Sequence, residues 1–179
     1  MGARVWPMTL LVLAACSTAP PRDMPALPTF DAVAALAEIR AASDADAGEL
    51  DVQPLRDPQV EDLRQQAAAL ESRRRDRDAA GALDQALAIN PDDPALLQER
   101  AEIALLLGQL LQAERLAHRA FATGSKVGPL CRRHWETIAQ VSANRLAAGA
   151  GVPAGNGAVT AIDARRQRDA CTVAAPNRF

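Results

Sequence analysis

Apolar residues in the middle of the chain recur three or four positions apart, the spacing of an amphipathic helix. The pattern predicts two helix pairs, over residues 58–75 and 78–89 and over residues 94–107 and 109–122. Asp57-Pro58 and Asp93-Pro94 each place an N-cap side chain before a proline at the first helical position. The segment Asn90-Pro91-Asp92-Asp93-Pro94 cannot continue the preceding helix, so it separates the two pairs. The chain therefore reads as a succession of helical hairpins.

A third pair is predicted over residues 129–148 and 158–170, separated by a glycine-rich loop at 149–157. In its second helix Val159, Ile162 and Arg166 have helical spacing. The abundance of Arg and Asp there suits a polar element that closes an array. Composition agrees with this pattern, because aromatic residues make up only 3%, Tyr is absent, and Ala and Leu dominate the apolar residues. These are helix formers, so the predicted fold class is all-α.

The first two helix pairs resemble each other at an offset of 34 residues, which aligns Leu63 with Leu97, Ala67 with Ala101, Ala79 with Ala113 and Ala86 with Ala120. With Pro91 near the end of the first unit, this period and its small residues resemble the tetratricopeptide (TPR) repeat. The pattern departs from that family where its usual tyrosine is Leu70 and then Ala104, and where Ser125 replaces the second proline. The resemblance implies a TPR-like array of about three units over residues 58–171.

The N-terminus has the features of a signal peptide over residues 1–15. Arg4 precedes an apolar stretch at 5–15 that is too short to span a bilayer. The stretch ends in Leu-Ala-Ala-Cys, which resembles the lipobox of bacterial lipoproteins. That resemblance implies cleavage before Cys16, a diacylglyceryl group on its sulfur and acylation of its amino group. An ordinary secretory signal cut nearby is the alternative.

Ser17 follows the predicted lipidation site. In lipoproteins of bacteria with two membranes, Asp at this place is associated with retention in the inner membrane. The resemblance therefore implies a lipid anchor in the outer membrane on its periplasmic face. The outer face of the inner membrane and the soluble periplasm are the alternatives.

Residues 16–57 follow as the lipidated cysteine and a disordered tether rich in Pro and Ala. Within them, residues 31–42 have helical spacing in Val33, Leu36 and Ile39, and Asp31 is placed to cap that helix. This segment is either a loose helix or a docking element for the domain or a partner. Residues 172–179 are predicted to form a short tail.

Two cysteines remain, Cys131 at the start of the third predicted hairpin and Cys171 at its end. The ends of a hairpin are neighbours, and the periplasm is oxidising, so a disulfide between them is expected. Two free buried thiols are the alternative.

Charge and motif content favour neither nucleic-acid binding nor catalysis. The net charge is −2, and the one basic cluster, at 72–78, is interrupted by two Asp residues. It reads as a solvated helix end, with a phosphate or lipid-headgroup patch as the alternative. Cys131 and His134 share a helix face, but the only other histidine is His118, so no metal set is evident. No enzyme activity, cofactor or metal is expected.

The TPR resemblance implies a concave surface, lined by the first helix of each unit, that binds peptides or protein segments. The groove positions are Arg64, Ala68 and Glu71, then Gln98, Glu102 and Leu105, then Glu136, Gln140 and Ala143. Arg64, Gln98, Glu102, Gln140 and an exposed Leu105 are the predicted partner-binding residues. The implied function is an envelope adaptor for a protein partner. A constitutive structural subunit is the alternative, and a lipid carrier would need a deeper cavity than three short repeats enclose.

Overall fold

The computed structural model describes Gly2 and residues 30–44, 55–148 and 159–172. These residues form seven α-helices and no strand, which confirms the predicted all-α helical-hairpin array. The helices are α1 (Ala32–Ala41), α2 (Pro58–Ser72), α3 (Asp76–Ile89), α4 (Pro94–Leu106), α5 (Leu110–Thr123), α6 (Pro129–Ala147) and α7 (Ala161–Ala170).

Three hairpins follow one another along the chain, α2 with α3, α4 with α5 and α6 with α7, and each packs on the next. The capping residues fix where their first helices begin. The Asp57 carboxylate accepts from the Gln59 amide at 2.8 Å, and the Asp93 carboxylate accepts from the amides of Ala95 and Leu96. Gly108, in the turn between α4 and α5, has a φ of +71°, which a residue with a side chain rarely adopts.

Small side chains form the contacts within and between the hairpins. The six alanines that recur at the 34-residue offset are all buried: Ala67, Ala79, Ala86, Ala101, Ala113 and Ala120. An alanine face lets two helix backbones approach closely, and Leu83 and Leu96 fill the space beside it. The repeat seen in the sequence therefore corresponds to a repeat of helix–helix contacts.

The last helix differs in register from its predicted pattern. Ile162 is 70% exposed, whereas Ala161 and Ala164 are buried against α6. The Thr160 hydroxyl caps the helix by accepting from the Asp163 amide at 3.1 Å, so α7 begins at Ala161. The helix therefore packs on α6 through its small residues Ala161 and Ala164.

Cys131 and Cys171 lie at bonding distance in the structure, with their Cα atoms 5.8 Å apart. Both side chains are buried, and the amide of Gly128 donates to the carbonyl of Cys171 at 2.8 Å. The pair joins the start of α6 to the end of α7, where the hairpin topology was expected to bring them.

The segment predicted as a disordered tether, residues 16–57, contains ordered structure. Residues 30–44 include α1, whose first turn is capped by Asp31 at 3.0 Å from the amides of Val33 and Ala34. The sequence left this segment open as a loose helix or a docking element, and the contacts of α1 with α4 and α6 favour the docked helix. No helix of the described residues is both long and apolar enough to cross a membrane.

Several other predictions concern residues that the structure does not describe. These are the signal peptide apart from Gly2, the lipidation site Cys16, the rest of the tether at 17–29 and 45–54, the loop at 149–157 and the tail beyond residue 172.

The cysteine pair closes a loop with a sequence separation of 40 residues. On chain entropy, replacing both cysteines by alanine should lower the free energy of unfolding by about 4 kcal/mol. Urea unfolding followed by circular dichroism measures this change. Reductant should destabilise the wild-type chain and leave the double variant unaffected. If the oxidised wild-type chain and the double variant had equal stability, a role for the bond in holding α7 would be contradicted.

Candidate functional site

The first helices of the three hairpins, α2, α4 and α6, provide a surface that we call the A-helix surface. Helix α1 lies on this surface and contacts α4 and α6. Its side chains Leu36 and Ile39 are buried against Leu105 and Val141. Leu105, which the sequence predicted to be exposed in an open groove, is therefore fully buried, because α1 covers it.

Polar contacts hold the C-terminal end of α1. The Arg40 guanidinium donates from Nε to Glu102 on α4 at 3.0 Å and from Nη2 to Glu71 on α2 at 3.0 Å. Arg132 on α6 donates from Nε to the carbonyl of Ala42 at 2.9 Å and from Nη2 to that of Ser43 at 3.3 Å. The last carbonyls of a helix lack partners within it and carry partial negative charge. The array therefore binds α1 at its end as well as along its apolar face.

A buried polar network lies beneath α1. Glu102 is only 1% exposed, and its Oε1 accepts from Gln98 Nε2 at 2.9 Å and from Arg133 Nε at 3.0 Å. Gln98 Nε2 also lies 2.9 Å from the hydroxyl of Thr137. The network thus connects α1 and α4 to α6 through a carboxylate that water does not reach.

His134 completes the network. Its Nδ1 lies 2.8 Å from Gln98 Oε1. Because the Gln98 amide nitrogen donates to Glu102, its oxygen must be the acceptor here, and Nδ1 of His134 carries the proton. Burial, together with the nearby charges of Arg133 and Lys126, lowers the pKa of His134 to about 3. The imidazole is therefore neutral at pH 7, and its Nε2 has no hydrogen-bond partner among the described residues.

Two of the predicted partner-binding residues therefore have internal partners instead. Gln98 and Glu102 are buried members of the network and do not face solvent. They are four residues apart on one helix, a spacing that aligns their side chains and was visible in the sequence. The sequence alone could not distinguish a buried hydrogen-bonded network from a solvated helix face, because both place polar residues at the same helical positions.

Gln140, the predicted residue on α6, lies away from α1. Its amide donates to Glu136 at 2.7 Å, and Glu136 in turn accepts from Arg168 of α7 at 2.7 Å. Arg133, Thr137 and Val141, at intervals of four on α6, face the network or α1, as do Arg132 and His134. On the same helix Trp135, Ile138 and Ala139 pack in the core, and Gln140 is half-buried.

An open cleft of about 700 Å³ lies beside the C-terminal end of α1, between α2 and α4. Its lining includes Arg64 and Ala68 of α2 and Glu99, Glu102 and Ile103 of α4. Arg64, the remaining predicted residue, lines this cleft with 20% of its side chain exposed.

The charges that line the cleft are paired. Arg64 donates to both oxygens of Glu99 and from Nη1 to Glu61 at 2.9 Å. Hydrogen bonding to Glu99 raises the pKa of Arg64. A polypeptide entering the cleft would meet the exposed side chain of Ala68, bordered by the ion pairs of Arg64 with Glu61 and Glu99.

Comparison with protein-family models, with curated proteins and with solved structures finds no match for this chain. Within the part of the chain that the structure describes, no three His, Cys, Asp or Glu side chains lie together in a group that could hold a metal ion.

Replacing Glu102 by alanine removes the acceptor shared by Arg40, Arg133 and Gln98. Because breaking a buried ion pair leaves its partners uncompensated, we expect a loss of about 3 kcal/mol in the free energy of unfolding. Glu61→Ala is the matched control. The Glu61 side chain is 40% exposed and forms an ion pair with Arg64, three residues further along the same helix. Its loss should be about 0.5 kcal/mol in the same denaturation assay. Similar losses for the two variants would contradict the role of the network.

The low pKa of His134 predicts a fall in stability in acid. The pKa in the unfolded chain is near its ordinary value of 6.5, so the full contribution is present above that pH and is lost as the pH falls toward 3. As the pH falls from 7 to 5, protonation of His134 in the unfolded chain should lower the free energy of unfolding by about 2 kcal/mol. His134→Gln should remove that component, whereas His118→Gln should retain it. An imidazole NMR titration of His134 with a midpoint near 6.5 would contradict this account.

Proposed function

We propose that this protein is a lipid-anchored adaptor of the bacterial cell envelope that binds a segment of a partner protein through its A-helix surface. The observation that carries the proposal is the docking of α1. This surface already holds a polypeptide helix by an apolar strip, a bridging arginine and hydrogen bonds to the helix end. Its chemistry is that of a helix-binding groove.

The repeated hairpins support placing the array in the tetratricopeptide class. The six buried alanines occupy the positions at which that family has small residues, and its members bind peptides along their first helices. The proximity of Cys131 and Cys171 suits an oxidising compartment. The lipobox-like sequence at Cys16 supports anchoring, and Ser17 favours the outer membrane with the array in the periplasm.

The proposed role is binding without catalysis. The thiol of Cys131 is paired with Cys171, and His134 is neutral, buried and held by Gln98. Neither side chain is placed to act on a bound molecule, since a nucleophile needs access and a neighbouring base.

A constitutive structural subunit is the second candidate. The packing of α1 favours it, because among the described residues α1 already covers Leu105 and Val141, and the open cleft lies beside it at α2. An adaptor should be monomeric and well behaved when purified without its anchor. A permanent subunit should depend on its neighbours for solubility.

A photo-crosslinking residue at position 68 tests the adaptor proposal in living cells. Ala68 is exposed and lines the cleft, whereas Ala69, the next exposed residue of α2, lies outside it and serves as the matched control. We expect position 68 in the full chain to capture one defined envelope protein that position 69 does not capture. Mass spectrometry of the cross-linked product identifies it.

Equal capture at the two positions, or no capture at position 68, would contradict partner binding in the cleft. A product retained through purification in stoichiometric amounts without cross-linking would favour the permanent subunit.

A further inference from the structure

Helix α1 contributes little to the core of the array. The two apolar clusters that hold the hairpins together contain no residue of α1. Within α1 itself only Ala35, Leu36 and Ile39 are buried, and they belong to a third cluster shared with α4, α5 and α6. An isolated helix of 10 residues is marginal in water, so α1 depends on the array far more than the array depends on α1. Elements of this kind open at lower free energy than the rest of a domain.

The contacts that hold α1 do not require it to belong to the same chain. They consist of an apolar strip, one guanidinium that bridges two carboxylates, and two carbonyls at a helix end. Any helix that presents those groups at the same spacing satisfies them. Asp31 caps the other end within the segment itself, so the recognised unit extends from 31 to 43.

Undocking of α1 would expose a surface whose apolar and charged groups match a particular kind of helix. Leu105 and Val141 would become an apolar strip, and Glu71 would lose the cation that now pairs with it. Arg132 would lose the two carbonyl acceptors at the end of α1. The uncovered surface would thus select a helix with an apolar face and a positive side chain near its C-terminal end.

We infer that α1 is an exchangeable occupant, and that the part of the A-helix surface formed by α4 and α6 binds in trans a helix of a partner protein with the chemistry of α1. The partner helix would carry small and branched apolar side chains at the spacing of Ala35, Leu36 and Ile39. An arginine would follow the last of them directly, and the helix would end within one turn of that arginine. The inference rests on the proposed function, but it concerns a different part of the surface from the cleft.

A fluorescently labelled peptide with the sequence of residues 30–44 tests exchange directly. It is titrated into the purified wild-type chain and into the full chain carrying Ile39→Asp, which prevents the chain's own α1 from docking. The tethered α1 competes at a high effective concentration, so we expect the peptide to bind the variant at least about tenfold more tightly than the wild type. A peptide carrying Arg40→Glu should bind the variant about tenfold more weakly than the unaltered peptide, because it loses a hydrogen-bonded ion pair to a buried carboxylate.

Circular dichroism establishes that the array of the Ile39→Asp chain is folded. If it is not, the comparison is repeated with the full chain carrying Arg40→Glu, which removes the ion pairs of α1 but alters a side chain that is 46% exposed. Failure of the peptide to bind either folded variant, or equal affinity for variant and wild type, would overturn the inference. A wild-type dimer that the peptide dissociates would also overturn it, in favour of α1 exchange between copies. Capture at position 68 together with failure of the peptide would leave the adaptor proposal standing.

Discussion

The buried carboxylate of Glu102 sets the arrangement on which the rest of the A-helix surface depends. It lies on α4, nine of whose 13 residues are buried, and it accepts hydrogen bonds from α1, from α6 and from its own helix. A charge removed from water must be satisfied on every side, since an unmatched one destabilises by several kcal/mol. The positions of Arg40 and Arg133 relative to α4 are therefore constrained more tightly than apolar contact alone requires.

Alanine packing and this network have separate roles. The alanines allow the hairpins to approach one another closely, but contacts between methyl groups tolerate sliding. Gln98 of α4 donates to Thr137 and accepts from His134, and these directional bonds specify one register between α4 and α6. That register places Val141 beside Leu105 and so forms the apolar strip on which α1 lies. The surface that binds α1 is thus a consequence of the polar contacts beneath it.

Local signals in the sequence accounted for most of the fold. Aspartate caps followed by proline placed the starts of α2 and α4, and the 34-residue offset identified the alanines that became buried. Helical spacing over residues 31–42 predicted α1, because Leu36 and Ile39 repeat on one face. The proximity of Cys131 and Cys171 followed from hairpin topology.

Tertiary contacts between distant segments accounted for the rest. No local pattern states that a helix within a proline-rich stretch covers Leu105, so that residue was expected at an open surface. In the third hairpin, Gln140 bonds Glu136 on its own helix, a contact that the repeat spacing does not specify. For Gln98 and Glu102, the same polar residues suit a solvated groove and an internal network, and only the neighbouring helices decide between them.

Hydrogen exchange along the intact chain tests most directly whether α1 occupies the A-helix surface. The account predicts intermediate protection for the amides of α1, slower to exchange than an unstructured peptide and faster than α4. Ile39→Asp, which removes the apolar contact of α1, should accelerate exchange in α1 far more than in α4 and α6. Exchange of α1 at the unstructured rate in the wild-type chain, with α4 and α6 protected, would contradict the docked helix and the functional account built upon it.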